Sequence, residues 1–344
     1  MGKKILVTGG LGFIGSHTVV QLQNQGYEVV IIDNLSNSRL EVRDWITSIT
    51  GITPKVYYAD CAEFSSCNRV FENEKPDGVI HFAAFKSVNE SVQLPLKYYF
   101  NNINSLLNIM NCCSMHGVKN IVFSSSCTVY GEPDVMPVTE LTPRKSAASP
   151  YGNTKQICED ILIDCISKSS EYAMNGIILR YFNPIGAHPS GLLGELPNGV
   201  PQNLVPYITQ TAAGIRKELS IYGNDYPTPD GTCIRDFIDV NDLASAHIKA
   251  FEYLEDKPMG FLDTFNIGTG RGVSVLELVN TFIDVTGTKL PYKFVDRRPG
   301  DIMAIYANVD KACNEMNWKA EIPLRDTLLN AWNWQVTLKS LISD

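Results

Sequence analysis

The sequence predicts an α/β fold, a Rossmann-like doubly wound parallel sheet followed by a smaller C-terminal α/β lobe. Three observations carry that expectation. Short β-rich runs alternate with helix-length stretches from Lys4 to Tyr181, a glycine loop separates the first strand from the first helix, and the alternation stops after Tyr181, where glycine and proline become dense.

In chain order, the strands are Lys4 to Val7, Glu28 to Ile32, Lys55 to Ala59, Gly78 to Phe82, Asn120 to Ser124 and Asn175 to Tyr181, short runs dominated by residues that suit a buried pleat. Between them, Phe13 to Gln25, Phe64 to Glu74, Leu96 to His116 and Tyr151 to Ser167 repeat apolar residues at three- and four-residue spacing, the period of a helix with one buried face. Strands joined by helices imply parallel pairing through right-handed crossovers. We expect residues 1–182 to form a dinucleotide-binding domain. Residues 183–344 should form most of a second lobe, with segments near 234–255 and 264–270 returning to the first domain and the runs at Ile234 to Ile238 and Thr264 to Gly268 interleaving with its sheet.

The composition excludes several function classes. A chain of 344 residues, 44% hydrophobic and 19% charged, has ample core for two lobes. The formal net charge of −8 with interspersed signs offers no footprint for nucleic acid or for an anionic membrane. No apolar stretch reaches the roughly 18 residues of a membrane span, and the start Lys3-Lys4-Ile5-Leu6-Val7-Thr8 is too short for a signal peptide. Nine cysteines without C-x-x-C or histidine spacing read as reduced thiols of a cytoplasmic protein, with no metal site. Cys127, which no histidine accompanies in sequence, reads as a buried thiol rather than a nucleophile.

The loop Gly9-Gly10-Leu11-Gly12-Phe13-Ile14-Gly15 follows a strand and opens a helix, the context in which such spacing binds a pyrophosphate. Gly12 lets the phosphates approach the backbone, Gly15 lets helix and strand pack closely, and the helix N-terminus adds N–H groups and partial positive charge. Asp33 ends the second strand at the spacing that places a carboxylate on the adenosine ribose, with Asn34 beside it. That favours NAD over NADP, although Arg39 is near enough to meet a phosphate. Asp60 ends the third strand and meets the adenine edge or caps a helix.

Tyr151 and Lys155 lie one helical turn apart, after Ser149-Pro150, and the run Phe123-Ser124-Ser125-Ser126 ends an earlier strand. A phenol that ionises near pH 7 must shift about three units, about 4 kcal/mol. An ammonium about 4 Å away supplies roughly that at an effective dielectric near 20, while burial opposes it. Ser126 either orients a reacting hydroxyl or caps a turn. A second pair at the same spacing, Tyr253 and Lys257, lies on an acidic stretch with no serine-rich strand end before it and reads as surface.

These segments resemble the extended short-chain dehydrogenase/reductase family, and within it the nucleotide-sugar 4-epimerases. The likeness runs through Thr8 to Gly15, His81 to Lys86, Phe123 to Gly131, Ser149 to Lys155, Arg180 to Pro184 and Gly186 to Pro189. It continues through Asn203 to Tyr207, Tyr222 to Pro227, Gly231 to Phe237 and the run Arg297-Arg298-Pro299-Gly300-Asp301. The resemblance implies reversible, NAD-dependent conversion of UDP-galactose to UDP-glucose through a transient 4-keto sugar. Tyr151 is then the base, Ser126 its partner, and Lys155 both its activator and a ligand of the nicotinamide ribose. Phe82, Ala83, Lys86, Asn101 and Tyr181 would lie along the dinucleotide.

By the same resemblance, Lys86, Asn183, Asn203, Leu204, Arg235 and Arg298 hold the diphosphate or uridine, Tyr222 flanks the uracil and Asp301 meets the uridine ribose. Read from the residues alone, Arg235 beside Asp236 serves equally as an ion pair. Ile305 occupies the family's gate beside the sugar C2 substituent and lies between a large aromatic and a small residue, so N-acetylated sugars stay open. A related 4,6-dehydratase would carry an acidic pair after the strand-end serine, where this chain has Cys127-Thr128. The helices at Leu96 to His116 and Tyr151 to Ser167 match those that pair relatives into homodimers.

Overall fold

In the computed structural model, which describes residues 2–169, 171–298 and 300–342, seven strands form one wholly parallel sheet. The order along the chain begins β1 (Lys4–Thr8), α1 (Phe13–Asn24), β2 (Glu28–Asp33), α2 (Glu41–Thr50), β3 (Lys55–Tyr58), α3 (Phe64–Glu74), β4 (Gly78–His81), α4 (Val88–Gln93), α5 (Pro95–His116) and β5 (Asn120–Ser124). A 3-10 turn (Cys127–Tyr130), α6 (Pro150–Leu162) with a π-helical extension (Ile163–Lys168), and β6 (Asn175–Tyr181) follow.

The second half continues with β7 (Asn183–Ile185), α7 (Leu204–Ala212), β8 (Leu219–Tyr222), β9 (Ile234–Arg235), β10 (Phe237–Asp239), α8 (Val240–Leu254) and β11 (Leu262–Ile267). It ends with β12 (Val273–Ser274), α9 (Val275–Thr286), β13 (Tyr292–Val295), β14 (Ala304–Ile305), α10 (Asp310–Met316) and α11 (Leu324–Ile342).

Alternation along the strands explains why both faces are covered. Ile5 and Val7 of β1 join a core with Val29, Ile31 and Ile80, whereas Leu6 between them joins Val30, Ile32 and Val79 on the other face. Helices α1 and α8 pack together over the first face, and α3 and α5 over the second. The sheet order β11-β6-β5-β4-β1-β2-β3 reverses direction between β1 and β4. Such a switch point opens a crevice beyond the carboxyl ends of the strands, and the glycine loop leaves β1 there.

One expectation needs correction. Leu262–Ile267 does join the sheet, as the edge strand beside β6. The segment from Ile234 to Ile238 does not: β9 pairs with β12 and β14, and β10 pairs with β7, in two small sheets of the second lobe. The apolar run gave no sign of its partner, and pairing with distant strands decided its place. Among the first-lobe helices, α2 and α4 also went unread. In α2 the period is present, with Val42, Trp45, Ile46 and Ile49 at helical spacing on the core and Trp45 buried edge-on against Trp334 of α11, at 5.3 Å between ring centroids, whereas α4 spans six residues, too few for a period.

Candidate active site

The crevice is an elongated groove of about 580 Å³. It runs over the ends of the sheet strands, and every residue expected beside the dinucleotide lines it: Gly9, Gly12, Phe13, Ile14, Gly15, Asp33, Asn34, Asp60, Phe82, Ala83, Lys86, Asn101, Tyr151, Lys155 and Tyr181. Its glycine end is a cradle. Gly9 has φ +68° and lies so close to Phe82 and Ala83 that a Cβ there would stand 3.0 Å from the Ala83 nitrogen. A Cβ on Gly15 would stand 2.3 Å from the Gly9 carbonyl oxygen. Only glycine at these positions lets the loop close this tightly at the N-terminus of α1, and the arrangement fits a pyrophosphate.

Asp33 is already fixed by its neighbours. Its carboxylate accepts the Leu11 N–H at 3.0 Å, the Leu35 N–H at 2.9 Å and the Ser38 hydroxyl at 2.6 Å. Asp60 accepts the Ala62 N–H at 2.8 Å and the Asn34 side-chain amide at 3.0 Å, so it makes a turn at the groove wall rather than capping α3 with its side chain.

At the other end Ser149 caps α6, accepting the Gly152 N–H at 3.2 Å, and Pro150 opens the helix. That start places Tyr151 and Lys155 on one buried face. The Lys155 ammonium donates to the Ser124 carbonyl at 2.7 Å and lies 4.8 Å from the centre of the Phe123 ring. Burial lowers Lys155 to about 8, with the Cys158 thiol and Glu159 acting upward. Burial also holds the Tyr151 phenol well above its usual value, Tyr181 adds to that, and the hydrogen bond with Ser126 pulls it down. Ser126 caps the turn that follows β5, its hydroxyl accepting the Thr128 N–H at 3.3 Å. In the polypeptide alone burial dominates at the Tyr151 phenol while Lys155 is turned onto Ser124, so ionising it near neutral pH calls for a positive charge beside it.

The second lobe supplies anion-binding groups. Arg298 grips Asp301 through two hydrogen bonds, at 3.1 and 2.7 Å, and Arg235 reaches the same carboxylate at 3.8 Å. Arg235 therefore pairs with Asp301 and not with Asp236, whose oxygens are taken by Thr269, Gly270 and Ala307. Tyr222, 45% exposed, lies under the Arg298 guanidinium at 5.5 Å. Two guanidinium groups converging on one carboxylate match what a diphosphate requires.

Residues 6–330 match the family model described as GDP-mannose 4,6-dehydratase. A UDP-glucose 4-epimerase of Bacillus subtilis is 49% identical over 331 residues, 96% of each chain. The chain belongs to the UDP-glucose 4-epimerase family. A UDP-glucose 4-epimerase of Stenotrophomonas maltophila, solved with NAD and formylated UDP-arabinopyranose, superposes with a TM-score of 0.95 at 44% identity, covering 98% of this chain and 99% of that one. The UDP-Glc/GlcNAc 4-epimerase of Campylobacter jejuni gives 0.83 at 36% identity, covering 98% and 100%.

Within this member of the epimerase family, Lys86, Tyr151 and Asn203 line the groove, whereas Ser126, Asn183, Leu204, Tyr222, Arg235, Arg298, Asp301 and Ile305 stand outside its lining. Asn183 opens β7, Leu204 opens α7, and Ile305 is buried on β14 with Cys127, Tyr130 and Phe182; Pro299 lies outside the described residues. Glu195 went unread in the sequence. Its carboxylate accepts Lys86 at 3.0 Å and Asn203 at 2.6 Å, tying the two lobes across the groove mouth. Only the density of proline and glycine around it marked that stretch. The control pair behaves as expected of bystanders: Lys257 covers the Tyr253 ring at 3.6 Å, and neither lines the groove.

Proposed function

We propose that this protein interconverts the C4 epimers of a UDP-hexose, UDP-galactose and UDP-glucose, through a 4-keto sugar. The observation that carries the reading is one groove joining a pyrophosphate cradle to a buried Tyr151 and Lys155, with Ser126 behind Tyr151 and outside the lining. When bound, oxidised NAD supplies the hydride acceptor and the positive charge that the buried phenol needs. Tyr151 takes the proton of the sugar 4-hydroxyl, Ser126 orients that hydroxyl, and Lys155 holds the ribose and the charge balance. Arg235 and Arg298 exchange Asp301 for the diphosphate, and Asp301 turns to the uridine ribose. Asn183, Asn203, Leu204 and Lys86 complete the nucleotide site, with Tyr222 beside the uracil.

The dehydratase description of the family model does not fit this site. A dehydratase needs an acid and a carboxylate to expel a hydroxyl. Here the slot after Ser126 holds Thr128 and Cys127, whose thiol burial pushes up to about 12. Ile305, at the family's gate position and intermediate in size between an aromatic and a small residue, leaves N-acetylated UDP-hexoses within the reading as slower substrates. Incubating the purified protein with UDP-galactose and no added reductant should yield UDP-glucose, and UDP-N-acetylglucosamine should be epimerised at a lower rate. Bound NAD with no sugar conversion would leave a dinucleotide-binding scaffold instead.

The protein is further read as a homodimer working in the cytoplasm. Helix α5 exposes Leu96 at 82%, Phe100 at 63% and Leu107 beside the α6 pairing face, an apolar strip suited to a second copy. Nine free thiols fit a reducing compartment, and among the described residues no helix is long and apolar enough to cross a membrane. Light scattering should return twice the chain mass of 38.2 kDa; a monomer at assay concentration would remove the dimer.

A further inference from the structure

Directly beneath the proton relay lies a charged group that the reaction as described does not use. Glu159 of α6 sits one turn beyond Lys155, and its side chain has 0% exposure. One carboxylate oxygen accepts the Ser125 hydroxyl at 2.6 Å and Arg180 Nε at 3.0 Å; the other accepts Arg180 Nη2 at 2.7 Å and Arg144 at 3.5 Å. Arg180, on β6, is held in turn over the Tyr130 ring at 4.9 Å and donates to its hydroxyl at 3.1 Å. The carboxylate is thus fixed on two sides before it meets Ser125.

Ser125 lies between the two relay contacts. The carbonyl of Ser124 takes the Lys155 ammonium, and the hydroxyl of Ser126 meets Tyr151. The Ser125 N–H bonds to Leu179 on β6 at 2.8 Å, so of Ser125's own groups only the side chain reaches α6, between the Lys155 and Tyr151 contacts. We propose that Glu159, locked by Arg180, is a positioning residue: through Ser125 it sets the strand end so that Ser124 receives Lys155 and Ser126 faces Tyr151.

A purely structural pair would not predict an effect on proton chemistry. Lys155 is faced by the Ser124 carbonyl and Phe123 from β5, by His81 from β4, by His247 from α8, and by Cys158 and Glu159 from its own helix. Burial keeps His81 and His247 neutral, at about 3 and about 4, and pushes Cys158 up to about 12. Glu159 is therefore the one charged neighbour among these. Arg144 and Arg180 face it, with Asp160 and Glu140 beside those arginines. The carboxylate favours the ammonium form, so its loss lets Lys155 shed its proton at lower pH.

The inference rests on the epimerase reading, and its test separates the two. In the NAD-bound protein, Ser125→Ala keeps the ion pair and removes only the tie. It should lower kcat for UDP-galactose about ten- to a hundredfold with KM little changed, and Ser125→Thr should restore most of the rate. The alkaline limb of the pH profile should stay in place for Ser125→Ala and move to lower pH for Glu159→Gln. An unaltered kcat in Ser125→Ala, or equal losses in Ala and Thr variants, overturns the positioning role. If the wild type fails to convert UDP-galactose, the epimerase reading falls. The titration of 15N-labelled Lys155 by NMR, expected at lower pH in Glu159→Gln or, should that variant not fold, in Glu159→Gln with Arg180→Met, then decides the charge coupling by itself: an unchanged midpoint overturns it.

Discussion

Tyr151→Phe is expected to lower kcat about 10³-fold or more while the dinucleotide stays bound. The substitution removes one oxygen from a ring whose side chain is buried at the end of the groove, and it leaves the packing volume almost unchanged. What vanishes is the group proposed to take the proton of the sugar hydroxyl. Lys155 cannot replace it, because its ammonium is turned onto the Ser124 carbonyl and carries no acceptor. The check is turnover of UDP-galactose together with the dinucleotide content of the purified variant. A rate within tenfold of wild type would remove Tyr151 from the role of base.

Gly15→Val should abolish stable NAD binding, with affinity reduced about a hundredfold or more. The first atom of the new side chain would stand 2.3 Å from the Gly9 oxygen and 2.9 Å from the Gly10 Cα. These are backbone atoms that cannot swing aside. Gly9 in turn is backed against Phe82 and Ala83 at the end of β4, so the loop can yield only by opening into the groove, where the pyrophosphate would lie. The expected result is protein with retained secondary structure and no dinucleotide by absorbance or calorimetry. Wild-type NAD affinity in the variant would mean that the loop does not carry the phosphates.

Much of the first lobe is legible because its signals are local. The strand from Asn120 to Ser124, the helix from Phe64 to Glu74 and the strand from Asn175 to Tyr181 coincide with the observed elements at both ends. Each is set by alternation or helical period within a few residues. The glycine loop and Asp33 share that quality, since a strand, a turn and a strand end at fixed spacing converge on one crevice whatever lies elsewhere. The 253–257 pair shows the limit: Tyr253 near the end of α8 and Lys257 in the turn beyond it share that spacing, yet Tyr253 packs beside Phe261 and Phe265 with no serine-bearing strand end near it.

The sequence by itself determined the parallel sheet, the phosphate cradle and the helix that carries Tyr151 and Lys155, because each depends on steric and hydrogen-bonding preferences between near neighbours. Only the tertiary structure decided that Arg235 answers to Asp301, that Glu195 bridges the groove mouth, that Glu159 anchors Ser125, and that burial dominates at the Tyr151 phenol while Lys155 turns to the Ser124 carbonyl. Those outcomes depend on how much water is excluded and on which distant charges are brought within a few ångströms, and neither quantity is fixed by the order of residues along a single element.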